Sequence, residues 1–128
     1  MKREQGRLER KRRAERYGRS SEMLAVLALR LRGYRILLRR FRSPQGEIDI
    51  VARRGRTLCI VEVKARPDHD SAVLALTLGQ RLRIERAAQA LLARHPQLAV
   101  CDLRFDLMLV GRGRWPRLIA DAWRAGMA

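Results

Sequence analysis

Two acidic residues and one lysine near the middle of the chain have types and a spacing that suit metal-assisted hydrolysis. Asp49 lies among β-branched residues in the run Gly46-Glu47-Ile48-Asp49-Ile50-Val51, and thirteen residues later comes Ile60-Val61-Glu62-Val63-Lys64. Both runs have the composition of strands. An Asp on one strand and Glu-x-Lys on the next would place two carboxylates and an ammonium together. Carboxylates of this kind hold Mg²⁺ or Mn²⁺ next to a phosphate group.

Lys64 stands out because arginine supplies nearly every other positive charge. Lys2, Lys11 and Lys64 are the three lysines among 29 Lys and Arg residues. A guanidinium is a planar fork that keeps its proton, whereas an ammonium is compact and can change protonation state when it is desolvated. Lys64 is therefore expected to orient or deprotonate a nucleophilic water, or to stabilise a pentacovalent phosphate.

The hairpin between the two runs decides whether these side chains meet. A loop centred on Arg54-Gly55 makes Asp49 and Glu62 diagonal neighbours on one face, with side chains roughly 7 Å apart. Lys64 shares that face because it follows Glu62 by two positions, and Glu47 falls opposite Glu62. A three-residue loop would move Asp49 to the other face.

Two interpretations of this cluster remain open. In the first, Lys64 neutralises Glu47 or Glu62 in a cross-strand ion pair. In the second, Asp49 and Glu62 hold Mg²⁺ or Mn²⁺, with the backbone carbonyl of residue 63 as a further ligand. Three acids with one base leave an excess of negative charge, and like charges opposite one another destabilise a sheet. That excess favours the metal.

The elements that would position the cluster follow an αβββαβ order with a short terminal strand. A mixed central sheet flanked by helices is therefore expected. The predicted elements are a helix from Ser20 to Gly33, strands Tyr34–Arg42, Glu47–Ala52 and Thr57–Ala65, a helix from about Leu78 to Arg94, and strands Ala99–Val110 and Trp115–Ala120. Residues 1–18 are expected to form a basic, disordered arm, and residues 19–128 the folded domain.

The first predicted helix is apolar on nearly all sides, since it carries two stripes. The first stripe is Leu24, Leu27, Ala28 and Leu31, and the second is Ala25, Val26 and Leu29. A helix of this kind is buried on both sides, by its own domain or by a partner subunit. A homodimer is one expectation that follows.

Charge points to a polyanionic partner. The formal net charge is +16 over 128 residues, which favours nucleic acid. No stretch approaches the length of a membrane span, and the basic N-terminus has no apolar segment after it to make a secretory signal. Cys59 and Cys101 fall in strand-like runs and are expected to be buried thiols in a reducing cytoplasm.

Several other polar residues have two interpretations each. Arg53, Arg54 and Arg56 at the hairpin are a solubilising turn or, as the overall charge favours, a phosphate clamp. Asp106 is expected to be the structural partner of an arginine. Asp68, His69 and Asp70 are expected to form an exposed polar turn rather than a metal site.

The central motifs resemble the Asp…Glu-x-Lys signature of the restriction-endonuclease-like superfamily. More closely, residues 18–123 are similar to the YraN-like family of small bacterial proteins, which are predicted nucleases. The resemblance rests on the two central motifs together with Gly18-Arg19…Glu22…Ala25, Gly33-Tyr34-Arg35-Ile36-Leu37, Ala72-Val73, Gln80 and Arg104-Phe105-Asp106.

That resemblance implies a restriction-endonuclease-like core with Asp49, Glu62 and Lys64 as active-site residues. Glu22 would be an accessory carboxylate, although an acid in the first turn of a helix also suits the helix dipole. Gln80 would be a helix-borne contact, although it is also typical of a solvent-facing helix position.

Two functions are consistent with the sequence. The first is a cytoplasmic, metal-dependent endonuclease acting on duplex or branched DNA, with DNA favoured over RNA as the partner. The second is a non-catalytic nucleic-acid-binding protein of the same fold, in which the acids form ion pairs. Metal-dependent cleavage that requires Asp49 and Lys64 separates the two.

Overall fold

The computed structural model describes residues 20–126, so the predicted basic arm (1–18) and the first residue of the predicted domain lie outside the described residues. In chain order the elements are α1 (20–31), β1 (Arg35–Ser43), β2 (Gly46–Arg54), β3 (Thr57–Ala65), α2 (His69–Ala75), α3 (Leu78–Arg94), a 3₁₀ helix (Pro96–Val100), β4 (Asp102–Val110) and β5 (Arg117–Trp123). The predicted mixed α/β fold is confirmed.

The five strands form one mixed sheet in the order β1-β2-β3-β4-β5. Neighbouring strands are antiparallel except β3 and β4, which are parallel and are connected through α2 and α3. A parallel pair needs such a crossover because the chain must return to the same end of the sheet. The central strand β3 is therefore hydrogen-bonded on both sides.

Helices α1 and α3 cover opposite faces of the sheet. Leu58 and Ile60 of β3 pack in one core with α3, while Cys59 and Val61 pack in a second core with α1. Successive residues of a strand point to opposite faces, so a strand buried on both sides is apolar at nearly every position. Glu62 and Lys64 continue the α3 side of β3.

The hairpin register differs from the prediction by two positions. Arg54 pairs with Thr57 and Ala52 with Cys59, whereas the prediction paired Ala52 with Thr57. The turn is tighter because Gly55 adopts a φ of +61°, which suits a two-residue hairpin loop. A shift of two positions keeps every side chain on its predicted face, so the predicted convergence of Asp49 and Glu62 survives.

The connection between β3 and α3 contains a short helix that was predicted to be a polar turn. Asp68 caps α2, since its Oδ1 accepts a hydrogen bond of 2.7 Å from the Ser71 amide, and Ala72 is fully buried. Asp side chains are common helix caps. Seven residues are too few for the helical periodicity of the sequence to be seen.

The last two strands begin later than predicted. Residues 96–100 form the 3₁₀ helix, so β4 starts at Asp102 instead of Ala99. The final strand starts at Arg117 instead of Trp115, because Pro116 has no amide hydrogen to give to a strand ladder.

Helix α1 is buried on one side only by its own domain. Ala25, Val26, Ala28 and Leu29 are buried, whereas Met23, Leu24, Leu27 and Leu31 are exposed. The exposed set lies at intervals of three and four residues and so forms one continuous stripe. Within residues 20–126, no helix is long and apolar enough to cross a membrane.

Candidate active site

Asp49 and Glu62 lie side by side on neighbouring strands. The observed register runs to the pair Ile50–Val61, and one further step places Asp49 opposite Glu62. Beyond this point the Val63 amide of β3 bonds to a side chain of β2 instead of to its backbone. Asp49 Oδ2 accepts this hydrogen bond, which is 2.8 Å long. That bond fixes the Asp49 carboxylate against the strand that carries Glu62 and Lys64.

Burial disfavours charge on both carboxyl groups. Glu62 is only 7% exposed, and its pKa is raised to about 8, first by desolvation and then by the charge of Asp49. Desolvation also raises the pKa of Asp49, although the Val63 amide opposes the rise. A buried carboxyl next to a second carboxyl binds a proton or a cation more readily than an exposed one does.

Lys64 reaches the same carboxylate. Its Nζ lies 3.4 Å from Glu62 Oε1, and the two side chains are 14% and 9% exposed. The positive charge of Lys64 opposes the raised pKa of both Glu62 and Asp49. The predicted grouping of Asp49, Glu62 and Lys64 is therefore present in the structure.

Gln80 joins this group from α3. Thr77 caps the helix through its Oγ1, which accepts a hydrogen bond of 3.1 Å from the Gln80 amide. The Gln80 side chain then donates a hydrogen bond of 3.2 Å from Nε2 to Glu62 Oε1. Gln80 is thus half-buried and contacts Glu62 from the helix, instead of pointing only to solvent.

Glu22 lies beside the group. It is 7% exposed, and its two oxygens receive hydrogen bonds from Arg39 Nε at 3.3 Å and Arg40 Nε at 2.9 Å. The Glu22 carboxylate raises the pKa of Arg40 most, and the charges of Glu47 and Asp49 raise it further. Glu22 is therefore connected to the site through Arg39 and Arg40 of β1.

Glu47 does not face Glu62 as predicted. In the observed register Asp49, and not Glu47, takes the position opposite Glu62. The Glu47 side chain is 49% exposed, with Oε1 3.7 Å from Arg42 Nε. The buried cluster thus holds two carboxylates instead of three. Glu47 remains at the rim of the cavity described next.

A cavity of about 270 Å³ opens beside Asp49 and Glu62, lined by Gly46, Glu47, Asp49, Glu62, Gln80, Arg83 and Ile84. Arg83 was not singled out in the sequence, although it follows Gln80 by three positions and so lies on the same face of the helix. A Cβ atom at Gly46 would lie 2.7 Å from the Arg83 carbonyl oxygen. Glycine therefore allows β2 to approach α3 closely enough to form one wall of the cavity.

The hairpin arginines lie away from the carboxylates. Asp49 and Arg54 are five positions apart on β2, which corresponds to roughly 17 Å of strand. Arg54 donates to the Arg32 carbonyl at 3.1 Å and stacks over Tyr34. Arg53 donates to the Gly55 carbonyl, and Arg56 to the Val100 carbonyl. These contacts support the turn and are made at some distance along β2 from Asp49.

Asp106 is a structural residue, as predicted. It is fully buried, accepts two hydrogen bonds of 2.8 Å from Arg104, and accepts a third from the Asp121 amide at 2.9 Å. Arg104 also donates to the Tyr34 hydroxyl at 2.7 Å. Cys59 lies close to this network, and burial raises the pKa of its thiol to about 12. Cys101 is only half-buried, contrary to the prediction for both thiols.

The chemistry of Asp49 and Glu62 fits a hard divalent cation. The charge of Asp49 raises the pKa of Glu62, and a bound cation would offset that repulsion. Among residues 20–126, no third carboxylate, imidazole or thiol completes a metal-binding cluster. Mg²⁺ commonly uses one or two carboxylates together with substrate phosphate and water. Two carboxylates and the Val63 carbonyl would therefore supply enough protein ligands for such an ion.

Comparison with known proteins agrees with the resemblance of the motifs. The chain is 57% identical over 111 residues to a UPF0102 protein of Parvibaculum lavamentivorans, a match that covers 87% of this chain and 84% of the relative. It is 53% identical over 115 residues to one of Paramagnetospirillum magneticum, covering 87% and 89%. It is 51% identical over 108 residues to one of Nitrobacter winogradskyi, covering 84% and 92%.

The sequence model of one family matches residues 21–110, which include every residue of the candidate site. The family is described as uncharacterised, so the match carries no activity with it. The predicted similarity to the YraN-like proteins is confirmed at this level. The chain belongs to the uncharacterised protein family UPF0102.

Proposed function

We propose that this protein is a divalent-metal-dependent endonuclease that hydrolyses phosphodiester bonds of DNA. The observation that carries the proposal is the grouping of Asp49, Glu62 and Lys64: the two carboxylates line one cavity, and Lys64 Nζ lies 3.4 Å from Glu62 Oε1. Two buried carboxylates and an ammonium are costly to assemble for stability alone. Groups with perturbed pKa values in a cleft are typical of catalytic sites.

The order of elements supports a restriction-endonuclease-like core as part of the proposal. Helix α1 precedes three antiparallel strands, a helical crossover leads to β4, and β4 lies parallel to β3. The acids lie on β2 and β3, as the resemblance of the sequence motifs implies.

Each residue of the site has its own role in the proposed reaction. Asp49 and Glu62 would hold Mg²⁺ or Mn²⁺, which supplies positive charge at the phosphate and lowers the pKa of water. The Val63 amide and the Gln80 side chain fix the two carboxylates. Lys64 orients the attacking water and stabilises negative charge on the phosphate. Glu22 holds Arg39 and Arg40 at the edge of the site, where they attract the phosphate backbone.

The substrate class follows from charge. A net charge of +16 favours a polyanion, and contacts with phosphates supply most of the affinity for DNA without regard to sequence. The aromatic content of 5% offers little for stacking on single-stranded bases, so duplex or branched DNA is proposed. The free thiols of Cys59 and Cys101 suit a reducing cytoplasm.

The test compares purified wild-type protein with Asp49→Asn and Lys64→Ala variants. Labelled duplex, single-stranded and four-way-junction DNA would each be incubated with Mg²⁺, Mn²⁺ or EDTA. Cleavage by the wild type alone, blocked by EDTA, is expected. Equal cleavage by all three proteins would indicate a contaminating nuclease and contradict the proposal.

A non-catalytic nucleic-acid-binding role is the second candidate. It is favoured by the closed contacts of Glu62, which already accepts from Gln80 and Lys64, so that the cluster could serve as an internal ion pair. This candidate predicts salt-sensitive DNA binding that is equal in the wild type and in Lys64→Ala, with no cleavage under any metal condition.

We also propose that the exposed stripe of α1 joins two copies of the chain. Met23 and Leu31 are 63% and 70% exposed, and exposed apolar stripes of this kind often mark interaction surfaces. Sedimentation at tens of micromolar tests this proposal, because Leu27→Arg is expected to convert dimer to monomer and a monomeric wild type would contradict it.

A further inference from the structure

A second cavity, distinct from the carboxylate cavity, is lined by three arginines. It has a volume of about 320 Å³ and is formed by Ala65, Arg66, Pro67, Gly111, Arg112 and Arg114. These residues come directly after β3 and β4, the parallel pair of the sheet. Ligands of open α/β sheets bind outside the carboxyl ends of parallel strands.

The guanidinium groups of this cavity are free to bind an anion. Arg66 uses one amino group to donate to the Ala65 carbonyl at 2.9 Å. Arg112 and Arg114 are exposed, and within the described part of the chain neither forms an ion pair. Asp68 lies close enough to Arg114 for their charges to interact, and it is occupied as the cap of α2. Three cations against one acid leave an excess of positive charge.

The arginine cavity follows the candidate active site along β3. Ala65 follows Lys64 directly and lies three positions beyond Glu62 on β3, which corresponds to roughly 10 Å. One strand of duplex DNA advances about 3.4 Å per nucleotide along its axis. With the DNA axis along β3, this distance would correspond to about three nucleotides, and a backbone phosphate that far from the bond at the carboxylates would lie at the arginines.

We propose that Arg66, Arg112 and Arg114 bind a backbone phosphate of the DNA and so position the strand across the carboxylate site. Arginine suits this role because its planar fork matches the oxygens of a phosphate group. The inference rests on the proposed function and moves the phosphate contact from the hairpin arginines to this cavity.

Binding measured without cleavage tests the inference. Fluorescence anisotropy of labelled duplex DNA would be recorded in EDTA across salt concentrations for the wild type, Arg112→Gln/Arg114→Gln and Arg53→Gln/Arg56→Gln. Both double variants lose two positive charges, so the hairpin pair is a matched control. The cavity pair is expected to weaken binding about tenfold and to lower the salt slope by about 1 or more, whereas the hairpin pair changes both less.

An equal or larger loss in the hairpin pair overturns the inference. So does unchanged DNA affinity of the cavity pair together with lost binding to vesicles of phosphatidylserine, because the anion would then be a lipid headgroup. Thermal unfolding of each variant checks folding, and Arg114→Gln alone provides a milder second variant that is expected to show a smaller loss in the same direction.

The Asp49→Asn variant separates this inference from the proposed function. It is expected to bind DNA at least as tightly as the wild type and to cleave none. If no protein cleaves DNA but the cavity pair still binds it more weakly than the hairpin pair, the nuclease proposal fails and the phosphate site stands.

Discussion

Gln80 Nε2 and Glu62 Oε1 are 3.2 Å apart, and this contact joins α3 to β3 at the candidate site. Lys64 Nζ approaches the same oxygen at 3.4 Å. One carboxylate oxygen thus receives a neutral donor from a helix and a charged donor from its own strand.

Gln80→Ala is expected to reduce the cleavage rate about 10- to 100-fold, because a hydrogen bond to a charged group is worth roughly 1.5–3 kcal/mol. Single-turnover cleavage with Mg²⁺ would measure the effect. Gln89→Ala is the matched control, since Gln89 lies exposed on the same helix. Equal rates for Gln80→Ala and the wild type would show that the contact does not position Glu62 for the reaction.

Lys64→Arg is expected to lose nearly as much activity as Lys64→Ala, at least about 100-fold, although it keeps the positive charge. A guanidinium is larger and planar, and it cannot take the place of a compact ammonium in a half-buried position. Cleavage rates and thermal unfolding of both variants would be compared. Near-wild-type cleavage by Lys64→Arg would show that only the charge is needed.

The raised pKa of Glu62 predicts how stability depends on pH in the absence of divalent cations. In the folded state the pKa of Glu62 is about 8, while the ordinary pKa of a glutamic acid side chain is 4.5. The stability due to that proton is therefore complete below pH 4.5 and is lost as the pH rises through 8. The loss is at most about 1.4 kcal/mol of unfolding free energy per pH unit.

Urea unfolding between pH 4.5 and 8.5 in EDTA would measure this loss, with Glu62→Gln as the control because it has no proton to lose. The difference in stability between the two proteins should change across the window. Mg²⁺ competes with the proton for the same carboxylate, so it should stabilise the wild type more at pH 8.5 than at pH 6. Parallel pH profiles of the wild type and Glu62→Gln would contradict the assignment.

Gly46→Ala is expected to lower the free energy of unfolding by about 1–3 kcal/mol. The added Cβ would lie 2.7 Å from the backbone oxygen of Arg83, which a side-chain rotation cannot move. Gly79→Ala is the matched control, because it has open space at the start of α3 and a neutral or slightly stabilising effect is expected there. Chemical unfolding of both variants would show whether the close approach of β2 and α3 matters.

The sequence predicted the central site well because its signals are local. Alternation of apolar residues placed Asp49, Glu62 and Lys64 on strands, and the shared face follows from a period of two. The register was wrong by two positions because the run Arg53-Arg54-Gly55-Arg56 is compatible with several loops. That shift removed Glu47 from the buried cluster.

The contacts of α3 could not be derived from the sequence. Whether Gln80 faces solvent or Glu62 depends on how a helix packs across a sheet formed by distant segments. The same packing brings Arg83 into the cavity. The arginine cavity depends on the parallel pairing of β3 and β4, which brings together residues some 45 positions apart. The periodicity of the sequence does not predict a pairing between such distant residues.

The central place of β3 has a consequence for motion. Its backbone is hydrogen-bonded to β2 on one side and to β4 on the other, and amides of such strands exchange with solvent only in rare, large-scale openings. Glu62 and Lys64 directly follow the doubly paired residues Thr57–Val61 and remain paired with β4, while Arg112 and Arg114 belong to a surface loop. The proposed phosphate contact therefore depends on a loop, whereas the carboxylate of Glu62 depends on the strand at the centre of the sheet.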